Sequence, residues 1–484
     1  MKKSILFLFF FAALASAAVG QSANDWFITV WDMSKPTNRT NDNPATTIAF
    51  PGVGNGYKLY WEDADNASIN GTVPSVTSNG AANPYYLPIP SGTTKVRIKV
   101  HKGSGTFSTI SHNGWNADPK RLIAVEQWGT TQWAELTMAF YNCGNMDVIA
   151  VDIPDISACL RLYATFQGCE NLVNANGSIT NWQTQNIEDM NQMFQYATSF
   201  NKPLNWNTQN LKWMRWMFSG ATSFNSALNF NTQNVTDMFG VFMNATSFNQ
   251  PLNWNTSKVT TMLNMFAGAT SFNQPLNFDT HNVTTMHQMF SRATSFNQPL
   301  NWNTEKVTNM ERMFQRATSF NHPLNWNTEK VTSMMQMFEE ATSFNQPLNW
   351  NTANVTNMGS MFTEATAFNQ PLSNWNTEKV TNMFGMFKGA TSFNQPLSNW
   401  NTEKVTSMSS MFKGATSFNQ PLDGFEINAI GSSMSEMFQG CGMSCENLST
   451  TLDSWKTQAA ALNKNYIYLG DISTVPNMYN EMGR

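Results

Sequence analysis

Side chains that usually perform catalysis are scattered along this chain of 484 residues. Its five histidines follow no metal-binding or catalytic-triad spacing; they are His101, His112, His281, His287 and His322. The chain also lacks a glycine-rich phosphate loop, a Gly-x-Ser-x-Gly nucleophile motif and paired carboxylates. We therefore expect neither an enzyme nor a cofactor, and the alternative is an acid/base site in the non-repetitive flanks.

Three neighbouring acidic residues form a weak candidate for a metal site. Glu62, Asp63 and Asp65 lie close together in the sequence, and carboxylate oxygens are ligands that Ca²⁺ prefers. Acidic residues in a loop are more often simply solvated. A solvated loop is therefore the favoured interpretation, and a calcium site is the weaker one.

The cysteines offer a second kind of chemistry. Cys143, Cys169 and Cys441 each stand three residues after a Phe, at a position that most repeats of the chain fill with Ala. The favoured interpretation is therefore a small buried apolar residue. A disulfide between Cys143 and Cys169 is the alternative, because stacked strands lie ~4.8 Å apart and disulfides accept Cα separations of about 4.4 to 6.8 Å.

Most of these residues lie within a sequence repeat, which must position them. From Phe194 to Phe362, a motif returns every 24 residues: Met-Phe-x-x-Ala-Thr-Ser-Phe-Asn-Gln-Pro-Leu-Asn-Trp-Asn-Thr-x-x-Val-Thr-x-Met-x-x. The step then becomes 25 and finally 26 at Phe438, while Phe140 and Phe166 mark two degenerate copies. Self-similarity of this kind predicts a solenoid of stacked turns.

Two periodicities alternate within one repeat. Apolar residues of the segment 307–317 recur every three to four positions, which predicts a short helix. Residues 300–302 alternate in polarity after Pro299, which predicts a parallel strand of about three residues, because proline cannot donate to a ladder.

Stacking places like side chains above like. The sequence predicts a row of Phe200, Phe224 and Phe248, and a row of Trp206, Phe230 and Trp254. Repeated polar residues, such as Asn201 and Asn225 or Thr208 and Thr256, are expected to satisfy backbone groups at the turns. The alternative is a solvent-facing Thr array that binds a periodic surface, such as ice or a polysaccharide.

The two residues between the two Met positions change freely from repeat to repeat. We call the following set the variable strip and predict that it faces outward: Arg215, Trp216, Phe239, Leu263, His287, Met335 and Phe384. Exposed apolar and aromatic side chains often mark contact surfaces, so the strip is the candidate ligand-binding site. Neutral variation on a tolerant face is the alternative.

Composition and charge restrict the classes of partner. The net charge is −4, and no surplus of Lys and Arg forms a cationic groove, so we expect no nucleic-acid partner. Residues 1–21 combine two lysines, an apolar stretch and small residues, which predicts a secretory signal peptide. No later apolar segment is long enough to predict a transmembrane helix.

From about residue 122 to about 445, the chain resembles the BspA-like leucine-rich-repeat surface proteins of bacteria, in the variant built on Met-Phe-x-x-Ala-Thr-Ser-Phe-Asn. The resemblance implies a leucine-rich-repeat-like solenoid that is secreted or displayed on the cell surface, with adhesion or protein binding as its role and no enzymatic activity. Family members are often tethered by a lipidated cysteine or a wall-sorting motif. The first cysteine is Cys143 and the sequence ends without an apolar tail, so plain secretion and surface display both remain open.

The predicted fold is an α/β solenoid, leucine-rich-repeat-like, with short parallel strands and short helices, preceded by a small all-β sandwich domain. The predicted domains are a signal peptide (1–21), a β-sandwich that resembles a PKD module (22–112), the solenoid (113–445) and a C-terminal cap (446–484), in which 455–462 is helical and 466–469 strand-like. The predicted partner is an extracellular protein or glycan. The alternative function is a structural surface-layer or spacer protein without a ligand.

Overall fold

A computed structural model describes residues 22–37, 39, 45–114, 116–427 and 434–462. The predicted signal peptide and the strand predicted over 466–469 lie outside these residues. The described chain begins with an all-β region, continues as a long series of stacked turns and ends in one helix.

Nine strands precede the regular repeats. They are β1 (Phe27–Asp32), β2 (Thr47–Phe50), β3 (Gly52–Asp63), β4 (Asn70–Asn79), β5 (Tyr85–Pro88), β6 (Lys95–His101), β7 (Thr106–Ile110), β8 (Leu122–Gln127) and β9 (Asp147–Val148). Seven of them form one sheet in the order β4-β3-β6-β1-β8-β9, with β7 also paired to β3, while β2 and β5 form a separate pair. Pairing is antiparallel except between β8 and β9.

The all-β region has two unequal layers. Strand β6 alternates buried Val96, Ile98 and Val100 with polar residues, as a strand with one covered face requires. Phe50 of β2 packs against Trp31 of β1, with ring centroids 6.3 Å apart. The second layer of the predicted sandwich is therefore only a two-stranded pair.

The sheet does not stop at the boundary predicted between residues 112 and 113. Strand β8 pairs with β1 on one side and, in parallel, with β9 on the other. The antiparallel sheet thus passes directly into the parallel stacking of the turns that follow.

The repeats stack as turns joined by single bridges rather than by continuous strands. Parallel bridges link the residue before the first Met of successive turns, as in Thr285 to Asn309 and Asn309 to Ser333. In the described residues, the predicted Leu-Asn-Trp strand is represented by one bridge, between Leu204 and Leu228. The predicted position of the strand is therefore wrong: residues 300–302 form neither a strand nor a bridge.

The short helix predicted in each repeat is also wrong. In the segment 307–317, Arg312 and Arg316 have left-handed φ values of 54° and 59°. The N–H of Arg312 donates to the carbonyl of Met335 in the next turn (2.9 Å), whereas the N–H of Met313 donates three residues back, to Met310 (3.3 Å). Consecutive tight turns therefore replace the helix, because an α-helix cannot contain left-handed residues.

The predicted aromatic rows are confirmed. The rings of Phe314 and Phe338 are 5.6 Å apart and nearly parallel, and those of Trp302 and Trp326 are 6.4 Å apart at 2°. The indole Nε1 of Trp326 donates to the carbonyl of Leu300 (3.1 Å), so the ring is both packed and hydrogen-bonded. Since each ring contacts its counterparts in neighbouring turns, the core is continuous along the stack.

The repeated polar residues satisfy the backbone, as predicted. Asn201 Oδ1 accepts from the N–H of Asn225 (2.9 Å), and Thr304 Oγ1 donates to the carbonyl of Asn327 (2.8 Å). Thr208, Thr256 and Thr304 are almost fully buried. The alternative that these threonines form a solvent-facing array is therefore wrong.

Helix α1 (Cys445–Ala461) contains most of the segment predicted to be helical and begins earlier than predicted. Its N-cap is Ser444, whose hydroxyl accepts from the N–H of Asn447. The buried Trp455 packs on Phe438, with centroids 6.0 Å apart. The helix therefore lies on the last described turn.

Cys143 and Cys169 are both free thiols, so the alternative interpretation, a disulfide between them, is wrong. Both side chains are fully buried, and Cys169 Sγ donates to the carbonyl of Phe140 (3.1 Å). Burial raises the pKa of both thiols, which keeps them protonated. The interpretation as small buried residues in the Ala position is confirmed.

Candidate binding surface

The variable strip forms one row along the stack. The carbonyls of Phe239, Leu263 and His287 accept from the turns that precede them, at 2.9 to 3.0 Å. The carbonyls of Met335 and Phe384 do the same. Every turn thus places the same backbone position on the same side, and only the side chain changes.

The second variable position of each turn has a backbone requirement that hydrophobic patterning does not reveal. Trp216 has a φ of 52°, and its counterparts Gln288 and Ser360 have φ values of 56° and 55°. Gly240 and Gly385 occupy the same position in other turns. This left-handed conformation belongs to every turn, so it is a feature of the scaffold and not a mark of function at Trp216.

Trp216 and Phe239 form the aromatic centre of the strip. Their ring centroids are 4.5 Å apart, and both side chains are half-buried. A Cβ added at Gly240 would lie 2.6 Å from Trp216 Cδ1, so the indole lies directly against this glycine. The pair is therefore a tilted aromatic cluster, with rings at 51° to each other, that packs against the neighbouring turn.

Two polar members of the strip are paired with neighbours. Arg215 donates through Nε to Asp237 Oδ2 (2.7 Å) and is about half exposed. His287 Nδ1 lies 3.5 Å from Glu311 Oε2. These groups are at the surface, where such pairs contribute little stability but fix the side-chain positions.

The structure places the remaining strip residues at different depths. Phe384 is 47% exposed, whereas Leu263 and Met335 are half-buried. The prediction that the whole strip faces outward is therefore correct for Arg215 and Phe384 and too simple for the others. Their outer faces still contribute to the surface.

Two exposed aromatic residues near the strip were missed by the sequence analysis. Tyr196 is 50% exposed and lies against Gly220, and Trp213 is 41% exposed with Lys212 Nζ 5.8 Å from its ring centroid. The available signal was an aromatic residue at positions where other turns carry Asn, Arg, Glu or Thr. Together with Trp216 and Phe239, they make the first regular turns the most aromatic part of this surface.

The weak calcium candidate is not assembled. Glu62 accepts from Arg97 Nη1 (2.9 Å) and Lys99 Nζ (3.0 Å) on the sheet. Asp63 Oδ1 instead accepts from the N–H groups of Asp65 and Asn66 in the turn. Within the described residues, no three His, Cys, Asp or Glu side chains form a group able to hold a metal ion.

One family model matches the repeats. Its description is "Mycoplasma protein of unknown function, DUF285", and it matches residues 134–253, 226–301, 252–349 and 348–455, about two thirds of the chain in total. No curated protein matches the chain. None of the helices in the described ranges has the length and apolarity needed to cross a membrane.

Two solved structures are similar to parts of the chain. A leucine rich cell surface protein from Faecalibacterium prausnitzii A2-165 is 12% identical, with a TM-score of 0.31 over 78% of this chain and 89% of that one. The TLR13–ssRNA13 complex contains a chain that is 10% identical, with a TM-score of 0.19 over 70% of this chain and 54% of that one.

Proposed function

The chain belongs to the family described as "Mycoplasma protein of unknown function, DUF285", and because that description assigns no activity, we propose a function from the chain itself. The protein is a secreted or cell-surface binding protein without catalytic activity. Its stacked turns act as a leucine-rich-repeat-like solenoid of the BspA-like kind, and its variable strip holds an extracellular protein or glycan.

One observation carries the proposal: a single backbone position presents a different side chain in each successive turn. From Arg215 through Phe239, Leu263 and His287, the backbone hydrogen bonds stay the same while the side chain changes from cationic to aromatic to aliphatic. A scaffold with identical demands in every turn does not require this variety. Recognition of an irregular partner surface does, and exposed aromatic residues are favoured at such contacts.

The proposed location rests on the amino-terminal sequence. Residues 1–21 have the charge, apolar stretch and small residues of a secretory leader. The resemblance of the repeat to BspA-like surface proteins points the same way. Surface display suits a long stack whose outer face is free for contact.

The experiment compares the mature protein with the double variant Trp216→Ser/Phe239→Ser on arrays of glycans and extracellular-matrix proteins. Ser409 and Ser410 occupy the equivalent positions of a later turn, where Ser410 has a φ of 58°, so the stack accepts serine at both sites. We expect at least about a tenfold loss of affinity, equivalent to about 1.4 kcal/mol. Thermal unfolding checks that the fold is retained.

The matched control is Lys306→Ser/Glu329→Ser, which removes two exposed side chains outside the strip. It should bind like the unmodified protein. Unchanged binding by the Trp216/Phe239 variant contradicts the proposal. So does a protein that binds nothing on the arrays but self-associates in light scattering, which is the behaviour of a structural surface-layer protein.

A further inference from the structure

A cavity of about 840 Å³ lies where the loop after β7 meets the first two degenerate turns. His112 and Lys120 line it from the loop, Tyr141, Asn142 and Asn145 from the first turn, and Glu170 from the second. Its volume is within the range of about 300 to 1,000 Å³ that is usual for small-molecule sites. The cavity is separate from the variable strip.

His112 lies at the edge of this cavity with its imidazole buried. The imidazole is 1% exposed, and its Nδ1 lies 2.5 Å from the carbonyl oxygen of Ala139, so Nδ1–H donates. Burial lowers the pKa of His112 to about 4, which leaves the ring neutral and places a lone pair on Nε2. Within the described chain, no donor reaches Nε2. Because Nε2 is itself buried, His112 supports the wall of the cavity and does not face a ligand.

Glycines keep the space open. Gly144 has no side chain, and a Cβ built there would lie 3.9 Å from Glu170 Cδ and 3.6 Å from the carbonyl oxygen of Gly168. Other turns place Thr at the equivalent position, as at Thr318. Gly168 has a φ of 73°, and its missing side chain leaves room for Asn142 Oδ1, which would lie 2.4 Å from a Cβ at that site.

The polar groups around the space suit hydroxyls. Asn145 Nδ2 is held by the carbonyl of Lys120 (2.7 Å), which leaves its amide oxygen as an acceptor. Glu170 contributes a carboxylate to the lining, and Lys120 contributes an ammonium group. Hydroxyls both donate and accept, so they match such a mixture, and the face of Tyr141 suits the apolar face of a sugar ring.

Other ligand classes fit less well. The lining has one carboxylate and one ammonium group, so its charges balance and favour neither an anion nor a cation. A metal ion would need a cluster of ligating side chains, and the described residues provide none. We propose that this cavity binds a neutral carbohydrate, with Glu170, Asn142 and Asn145 meeting its hydroxyls.

The test uses the mature protein and a panel of neutral and acidic oligosaccharides in titration calorimetry. We expect a neutral sugar to bind at micromolar to millimolar concentration. Gly144→Leu should weaken it at least about tenfold by filling the cavity, because Gly144 does not have a left-handed φ and tolerates a side chain. Glu170→Gln should weaken it less, because an amide still accepts one hydrogen bond.

The matched control is Thr318→Leu, which places the same side chain at the equivalent position of a turn away from the cavity and should bind normally. The Trp216→Ser/Phe239→Ser variant should also keep this sugar, so failure here and failure of the proposed strip are distinguishable. Absence of binding to every sugar, binding of acidic sugars alone, or binding that survives Gly144→Leu overturns the proposal.

Discussion

At the scale of single residues, His112 is a buried titratable group whose protonation opposes folding. Its ring lies between those of Trp31 and Phe140, with centroids 6.0 and 6.4 Å away. Burial lowers its pKa from 6.5 to about 4, despite the opposing effects of the Ala139 carbonyl and Asp118. The unfolded chain therefore takes up a proton below about pH 6.5 that the folded chain refuses until about pH 4.

This difference predicts a loss of stability on acidification. Neutral His112 should make its full contribution to the free energy of unfolding above pH 6.5. The free energy of unfolding should then fall as the pH approaches 4, by about 2 kcal/mol between pH 7 and pH 5. His112→Phe keeps a ring in the same place and should remove that part of the pH dependence. Urea unfolding at the two pH values measures it.

The control for this measurement is His281→Phe, which removes a histidine from the surface, where it contacts Asp279. It should retain the pH dependence of the unmodified protein. A His112→Phe variant that loses as much stability on acidification as the unmodified protein would show that His112 is not responsible.

At the scale of elements, helix α1 replaces the turn that would otherwise follow the last repeat. Thr451 Oγ1 accepts from the N–H of Leu422 (2.9 Å), and Gln458 accepts from Ile427 N–H and donates to the Phe425 carbonyl. Side chains of one helix thus satisfy an edge that would be an open template for association.

Removing one of these contacts should weaken the end of the stack. Thr451→Val keeps the shape but leaves the N–H of the fully buried Leu422 without an acceptor, which should cost about 1 to 3 kcal/mol. Thr450→Val is the control, because it is exposed and bonds only to Glu446 within the helix. Hydrogen exchange of residues 419–427 should accelerate in the first variant alone, and equal exchange in both would contradict the capping role.

The elements also mark the limit of what the sequence predicts. Rows such as Phe314 over Phe338 were predictable, because identical residues at a fixed step must meet their counterparts when turns stack. The helix was predicted wrongly, since apolar residues three to four apart are also produced by consecutive tight turns. Gly220, Gly268 and Gly414, all at one repeat position with positive φ, were the overlooked signal.

The candidate site was predictable in part, because it too follows from the repeat. A row of variable residues follows from the repeat, so the strip was found, but the depth of each side chain depends on its neighbours, as the contact of Trp216 with Gly240 illustrates. The cavity could not be predicted from the repeat. It forms where two non-repetitive stretches, around His112 and around Tyr141, come together only in the folded chain.

At the scale of the whole molecule, the contacts of each turn are almost entirely with its two neighbours. Phe314 stacks on Phe290 and Phe338, at 5.7 and 5.6 Å, and its N–H donates to Met337. Stability in such an arrangement is close to a sum over turns and interfaces between them. The number of turns is therefore adjustable, but their register is not.

This distinction leads to a deletion experiment. Removing residues 313–336 takes out one full period and joins Arg312 to Met337, which restores the motif. The shortened protein should unfold cooperatively with a denaturant m-value lower by about 5%, in proportion to the surface lost. Removing residues 313–324 takes out half a period and places Arg312 directly before Asn325. Because this leaves the Met-Phe row incomplete, the half-period deletion should abolish cooperative unfolding. Equal tolerance of both deletions would mean that the rows do not hold the molecule together, because the half-period deletion removes Met313, Phe314 and Phe320 from their rows.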